Sequence, residues 1–390
     1  MKSLGLVFLI FPMGAFVEPD EEELSKAEKK KRMNVFAVGP AMNIVVAVIC
    51  ALLFSSVFLS SASPIRDGPV VVQVGADSPA FHADIQFGAQ IVEVGSYRVL
   101  SPDDLDNISA PDPGNPVEVD YYFKGTQYMK EVCSGVAITQ ASGDLPAANA
   151  GIRAGMILAS INDTIIRNPD DFRNVMSFTR PHQVVNVTVL AYNSTTEWYV
   201  EVTSITNVTL ASRNDYLRQA GQDPGDESDI GFLGVNSAFI GAMATSPELL
   251  LRTFAHPFHG ADSLEDMFRG FIIYIALPFR GLAPVQSPLT DLFVVDGALG
   301  AIPVDIFWML ANSFYWIFWI NLMVGMTNVL PAVPLDGGYL FRDWLDSIIN
   351  RVKRSATPEE RERYVTSITY TLAFFVLFLI VWQLIGPRMF

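Results

Sequence analysis

Histidine is scarce in this chain: His82, His182, His256 and His259 are the only four among 390 residues. No two of them stand four apart, the spacing that sets a pair of imidazoles on one helix face. His256 and His259 are three apart with Pro257 between them, which suits a surface loop rather than a ligand pair. Cysteine is scarcer still. Cys50 lies in an apolar run and Cys133 in a more polar segment, so they are not expected to pair and no disulfide framework exists. Positive charge is missing from the middle of the chain: residues 63–300 hold 28 acidic side chains against 13 basic ones, and the rest holds 13 of each. That argues against nucleic acid and against docking on anionic lipid.

Apolar residues, by contrast, make up 50% of the chain, and mean hydropathy is +0.31. They concentrate at 35–59, 302–330 and 365–385, each long enough to cross a hydrocarbon core that needs about 20 helical residues. Shorter runs at 4–17 and 271–282, broken by Pro12, Gly14 and Pro278, read as interfacial or re-entrant. For 4–17 a signal-peptide core is the alternative, although a small-x-small cleavage site is missing. Lys29, Lys30, Lys31 and Arg32 precede the first run, and Arg342, Arg351, Lys353, Arg354, Arg361 and Arg363 lie between the last two. The positive-inside rule then puts 29–32 and 340–364 in the cytoplasm and the acidic segment outside, with three crossings. Asn-x-Ser/Thr sites at Asn107, Asn162, Asn186, Asn193 and Asn207 fall on that outer side.

Between 64 and 204 the pattern changes to short β-branched runs separated by Gly, Pro, Asn and Asp turns, at 69–74, 117–123, 135–139, 184–192 and 197–202. Two stretches read alike. Gly75-Ala76-Asp77-Ser78-Pro79-Ala80 leads to Gly88–Val94 and Ser101-Pro102-Asp103-Asp104-Leu105. Pro146-Ala147-Ala148-Asn149-Ala150-Gly151-Ile152 leads to Gly155–Asn162 and Asn168-Pro169-Asp170-Asp171-Phe172. The period fits a duplicated small domain. The second copy resembles a PDZ domain, and the first does so more loosely, with Ala83-Asp84-Ile85 at the Ala-Gly-Ile turn. The resemblance implies recognition of peptide termini at an open sheet edge; rigid α+β spacers are the alternative. Gly231-Phe232-Leu233-Gly234-Val235 is similar to the Gly-rich carboxylate loop of such domains, but reads more simply as a strand before a surface helix.

At the end of the 302–330 run stands Asn328-Val329-Leu330-Pro331-Ala332-Val333-Pro334-Leu335-Asp336-Gly337-Gly338. A lone Leu-Asp-Gly reads as a helix cap. After an apolar span and two prolines, the carboxylate reads instead as a metal ligand or proton-transfer group in a hydrated cavity.

Asn-x-x-Pro-x-x-x-Leu-Asp-Gly resembles the second signature of the site-2 proteases, intramembrane zinc metalloproteases of the peptidase M50 type. Gly39-Pro40-Ala41-Met42-Asn43 is similar to their Gly-Pro-x-x-Asn motif, and the stretch from Phe11 to Asp20 to their membrane-inserted hairpin. The resemblance implies a multi-pass α-helical membrane protein with two inserted extracytoplasmic PDZ-like (α+β) domains. Its implied parts are a hairpin at 4–20, spans at 35–60, 301–330 and 365–386, PDZ-like domains at 64–131 and 132–204, an outer loop with an interfacial helix at 205–300, and a cytoplasmic basic segment at 340–364. It further implies zinc as cofactor, Asp336 as a metal ligand, Asn328 as a positioning group, and Asn43, Pro331, Pro334 and Gly337 as neighbours. Substrates would be transmembrane proteins within the bilayer. An Asn such as Asn43 in an apolar helix otherwise makes an interhelical hydrogen bond. The family's His-Glu-x-x-His is absent here, so the zinc site is incomplete in these residues. A truncated start and an inactive relative both fit that departure, and a membrane-anchored PDZ adaptor without catalysis is the alternative function.

Overall fold

The computed structural model describes residues 3–8, 12–18, 27–225, 228–256, 258, 261–280, 285–353 and 357–385. Strands β1 (Ser3–Phe8) and β2 (Pro12–Glu18) pair antiparallel, with Ser3 opposite Glu18 and Phe8 opposite Pro12. The described parts of the apolar run, 4–8 and 12–17, are thus extended. Helix α1 (Lys29–Leu53) follows, then a π-helical turn and a 3-10 turn that lead into β3 (Ala62–Pro64).

Two copies of one unit come next. The first comprises β4 (Val70–Val74), α2 (Pro79–His82), β5 (Gln90–Val94), β6 (Tyr97–Arg98), α3 (Pro102–Asp106), β7 (Pro116–Phe123) and β8 (Thr126–Cys133). The second comprises β9 (Val136–Ala141), α4 (Pro146–Asn149), β10 (Ile157–Ile161), β11 (Thr164–Ile165), α5 (Pro169–Ser177), β12 (Val184–Asn193) and β13 (Trp198–Thr209). The same local chemistry starts α3 and α5. Ser101 and Asn168 accept hydrogen bonds from the amides of Asp104 and Asp171, and a proline with preset φ opens each helix.

After β14 (Ala211–Ser212) and α6 (Arg213–Gln219), three short strands follow: β15 (Gly231–Phe232), β16 (Val235–Phe239) and β17 (Ala242–Thr245). The first sheet runs β17-β4-β5-β7-β8 with β6 beside β5, and the second runs β13-β12-β10-β9-β16 with β11 beside β10. One segment beyond residue 205 therefore supplies an edge strand to each sheet, where the sequence suggested a loop, one strand at 231–235 and a surface helix. Phe239 and Ile240 join Val71, Ile91 and Val119 in one core, while Leu233 joins Ile138, Ile161 and Val187 in the other. Across the junction of the copies, Tyr199 Oη donates to the Asp77 carbonyl at 2.6 Å and His82 stacks on Tyr192 at 3.5 Å. Burial pushes the Tyr199 phenol well above its usual range, and the neighbouring Cys133 thiol up to about 12. Cys50 and Cys133 are both free and buried.

The remaining elements are α7 (Pro247–Ala255), α8 (Leu264–Ala276), β18 (Phe293–Val295), which pairs with β3, and the helices α9 (Val304–Val329), α10 (Asp336–Val352) and α11 (Pro358–Ile385). The chain divides into two compact units, Met1–Phe54 with Leu310–Phe390, and Ser55–Met309.

This architecture corrects the expected multi-pass α-helical membrane fold. Among the described residues two helices, Lys29–Ser61 and Val304–Val329, are long and apolar enough to cross a membrane by length and composition. The third expected span, 365–385, is the end of α11, whose first turns carry Glu359, Glu360, Arg361, Glu362 and Arg363. The unit Ser55–Met309 instead buries its apolar residues between strands and short helices, giving a mixed α/β fold. The three-crossing topology loses its third crossing with it.

Because Tyr199 is 5% exposed and its hydroxyl serves one carbonyl, Tyr199→Phe is expected to cost about 1 kcal/mol. Chemical denaturation of the full chain followed by tyrosine fluorescence measures this.

Candidate functional site

Helix α10 packs antiparallel against α1 along a seam of four pairs. These are Lys29 with Asp346, Arg32 with Asp343, Phe36 with Tyr339, and Gly39 with Asp336. The steps are three, four and three residues on both helices, which keeps every pair on one face of each. At the charged end, Arg32 grips Asp343 with two bonds, Nε to Oδ2 at 2.8 Å and Nη2 to Oδ1 at 2.5 Å. Asp343 is buried, so this forked pair is the seam's strongest polar tie. Asp346 pairs with Lys29 and also with Arg361 of α11, at 2.8 Å. In the middle the rings of Phe36 and Tyr339 stack at 4.7 Å. At the far end a Cβ on Gly39 would lie 3.2 Å from Asp336 Oδ2, so a side chain there would crowd the carboxylate.

Asp336 is the first residue of α10, and the cap position before it is Leu335, which makes no side-chain cap bond. The simple cap reading of Asp336 therefore fails. Its carboxylate is half-buried and has no hydrogen-bond or ion-pair partner among the described residues. The first turn of a helix favours its negative charge. The two glycines that follow have a steric cause. A Cβ on Gly337 would collide with the Val329 carbonyl, and one on Gly338 would stand 2.6 Å from the Ala332–Val333 backbone. The start of α10 is thus pressed against the end of α9.

The structure brings the expected residues together only in part. Gly39 and Asp336 share the seam, while Gly337 lies against the end of α9. Asn43, half-buried on α1, faces α9, where a Cβ on Gly325 would be 3.3 Å from its own Cβ. Small residues at such a crossing allow backbones to approach. Asn328 is half-buried in the last turn of α9, and Pro331 and Pro334 lie in the connection to α10. No described hydrogen bond joins Asn328 to Asp336.

Nor do the histidines converge there. His82 stacks on Tyr192, His182 sits in a turn at φ 62°, His256 ends α7, and His259 lies outside the described residues. Among the described residues no three His, Cys, Asp or Glu side chains group as a metal site. Asp336 offers one carboxylate, so these residues do not by themselves fit a three-ligand zinc site. No hydrolytic step through a metal follows from them.

A sequence profile of peptidase family M50 matches residues 4–376. The chain belongs to peptidase family M50. Over 238 residues this M50 chain is 26% identical to the zinc metalloprotease Rip1 of Mycobacterium bovis and 25% identical to Rip1 of Mycobacterium tuberculosis. Each match covers 57% of this chain and 53% of the relative, so the chain spans about half the length of the curated relatives it matches. A 65-residue stretch is 26% identical to the uncharacterized protein MJ0971 of Methanocaldococcus jannaschii, covering 17% of this chain and 15% of that protein. Zinc is the metal expected of such a family.

The forked pair was not readable from the sequence, where Arg32 served only as part of a basic cluster. Its pattern was nonetheless present, as equal three-four-three steps on both helices. Asp343→Ala leaves the Arg32 fork without its acceptor and is expected to destabilise the helical unit by about 2 kcal/mol. The swap Arg32→Asp with Asp343→Arg should recover part of that loss in thermal unfolding of the detergent-solubilised chain. Gly337→Ala meets backbone rather than a movable side chain. It should cost at least about 2 kcal/mol in the same measurement, whereas alanine at exposed Gly143 should cost nothing.

Proposed function

We propose that this chain contributes the Asp-bearing part of an intramembrane zinc metalloprotease of the site-2 type, acting on membrane-spanning substrates. The observation that carries the reading is the placement of Asp336: half-buried, without a partner among the described residues, and held against Gly39 of one candidate membrane helix, at the start of the helix that follows another. An ionisable group so placed is a functional one by default. Asp336 is the zinc ligand this chain supplies, and Asn328, in the last turn of α9, is the group that positions substrate backbone.

The duplicated sheets are PDZ-type modules in this reading. Supporting it are the open edge strands β16 and β17, each at the end of its sheet, together with the short helices α5 and α3 in matching places. Strand addition at such an edge is a general mode of peptide recognition. The same open edges favour a second reading, a membrane-anchored peptide binder without catalysis.

Zinc content separates the two. The purified full chain, dialysed against trace zinc, should retain metal weakly, as one carboxylate ligand allows, and Asp336→Ala should remove what is retained. Equal retention by Asp336→Ala, measured by mass spectrometry of bound metal, would overturn the first reading. Cleavage of a model transmembrane helix by this polypeptide alone is not expected, because its described residues assemble one ligand.

A further inference from the structure

Three neighbouring strands of the first copy set charged side chains in one row. Glu93 of β5 stands opposite Arg98 of β6 on one side and opposite Asp120 of β7 on the other. Residues directly opposite in antiparallel strands share a face, with Cβ atoms about 5 Å apart, so the two facing carboxylates repel. The side chains of Glu93 and Arg98 make no hydrogen bond or ion pair among the described residues. Asp120 accepts one bond, at Oδ2 from Gln127 Nε2 at 3.0 Å.

The row lines a cavity of about 480 Å³, a size that suits a small ligand. Its other wall is the segment 64–67. There the half-buried Arg66 lays its guanidinium 3.9 Å over the ring of Tyr122. Tyr122 Oη donates to Gln127 Oε1 at 3.0 Å, and Gln127 in turn holds Asp120. The Arg66 backbone is fixed as well, because its carbonyl accepts from Nε2 of the buried Gln90 at 2.9 Å. Five charged side chains thus surround one space: the guanidinium groups of Arg66 and Arg98, and the carboxylates of Asp67, Glu93 and Asp120.

The cavity also lies close, along the chain, to a candidate membrane helix. Lys29–Ser61 ends five residues before Arg66, so Arg66 stands at most about 18 Å from Ser61. The intervening β3 pairs with β18, and Asp296 N donates to Ser61 O at 2.8 Å shortly before the second candidate helix begins at Val304. Apolar Ile65, which lines the cavity, is 46% exposed, and Val294 of the β3–β18 pair is 43% exposed. The headgroup layer of a bilayer adds roughly 5–8 Å beyond the hydrocarbon on each side, a depth that these few residues cross.

We propose that this cavity binds the headgroup of a phosphoethanolamine lipid, its phosphate on Arg66 and Arg98 and its primary ammonium between Glu93 and Asp120. Both signs of charge in one space match a zwitterion. Guanidinium forks match phosphate oxygens, and an ammonium brings N–H donors that two facing carboxylates accept. A trimethylammonium has no N–H and relies on an aromatic cage instead. Tyr122 is the only aromatic residue lining the cavity among the described residues, and Arg66 already covers one face of its ring. A lipid with an anionic headgroup and no amine would leave the facing carboxylates unrelieved. The proposal depends neither on the zinc assignment of Asp336 nor on peptide binding at the sheet edges.

The test uses the full chain in maltoside detergent and short-chain lipids bearing phosphoethanolamine, phosphocholine or phosphoglycerol headgroups, with occupancy read by native mass spectrometry. The phosphoethanolamine lipid should bind at least about tenfold tighter than either of the others, since hydrogen bonds between charged groups are at stake. Glu93→Gln and Arg98→Gln alter exposed side chains, and thermal unfolding of each variant should match that of the parent chain. Glu93→Gln should abolish the preference over phosphocholine, while Arg98→Gln should weaken both of these lipids. Hydrogen exchange with the phosphoethanolamine lipid should show protection over 64–67 and 118–122 and none over 157–161 of the second copy. Equal binding of the three lipids, or a preference that survives Glu93→Gln, would overturn the proposal. Protection confined to other segments would overturn the choice of cavity. Glycerophosphoethanolamine, the same headgroup without acyl chains, separates the two sources of this chemistry: binding as tight as that of the lipid would overturn the lipid assignment.

Discussion

Close packing at Gly39, Gly325, Gly337 and Gly338 is the constraint on which the arrangement around Asp336 depends. A Cβ would crowd the Asp336 carboxylate at Gly39 and the side chains of Asn43 and Ile44 at Gly325, and at Gly337 and Gly338 its space is already taken by the Val329 carbonyl and the Ala332 backbone. Steric fit fixes how near the helices come but not how they slide. The ion pairs at the other end of the seam supply the register. A slip of one turn would shift α10 by about 5.4 Å, separate Arg32 from Asp343, and carry Asp336 away from Gly39. Glycines and charges act at opposite ends of the same seam, and the carboxylate is placed by both.

Some of this was legible in the sequence and some could not have been. Asp336 and the Gly39–Asn43 stretch stand out as motifs because prolines, glycines and a carboxylate are improbable in apolar runs. Nothing in a separation of almost three hundred residues tells that Gly39 lies against Asp336. The duplicated Pro-Asp-Asp helix starts were legible because capping and proline chemistry are local. The pairing of β16 and β17 was not legible for the converse reason. Their partner strands lie about 95 to 175 residues earlier, and neither segment has enough local periodicity to announce a sheet. The third span was over-read because an apolar count does not register the charged turns at the start of the same helix.

The shared segment also bears on how independent the two copies are. β16 lies at the edge of the second sheet, yet its last residue, Phe239, is buried in the core of the first. The loop that follows, at Ile240 and Gly241, takes hydrogen bonds from the first copy and gives one to Gly135, at the junction of the two. Tyr199 and His82 add a packed contact between the copies. Pulling one sheet away from the other would tear a strand from a core, so the pair is better regarded as one body with two edges than as beads on a linker.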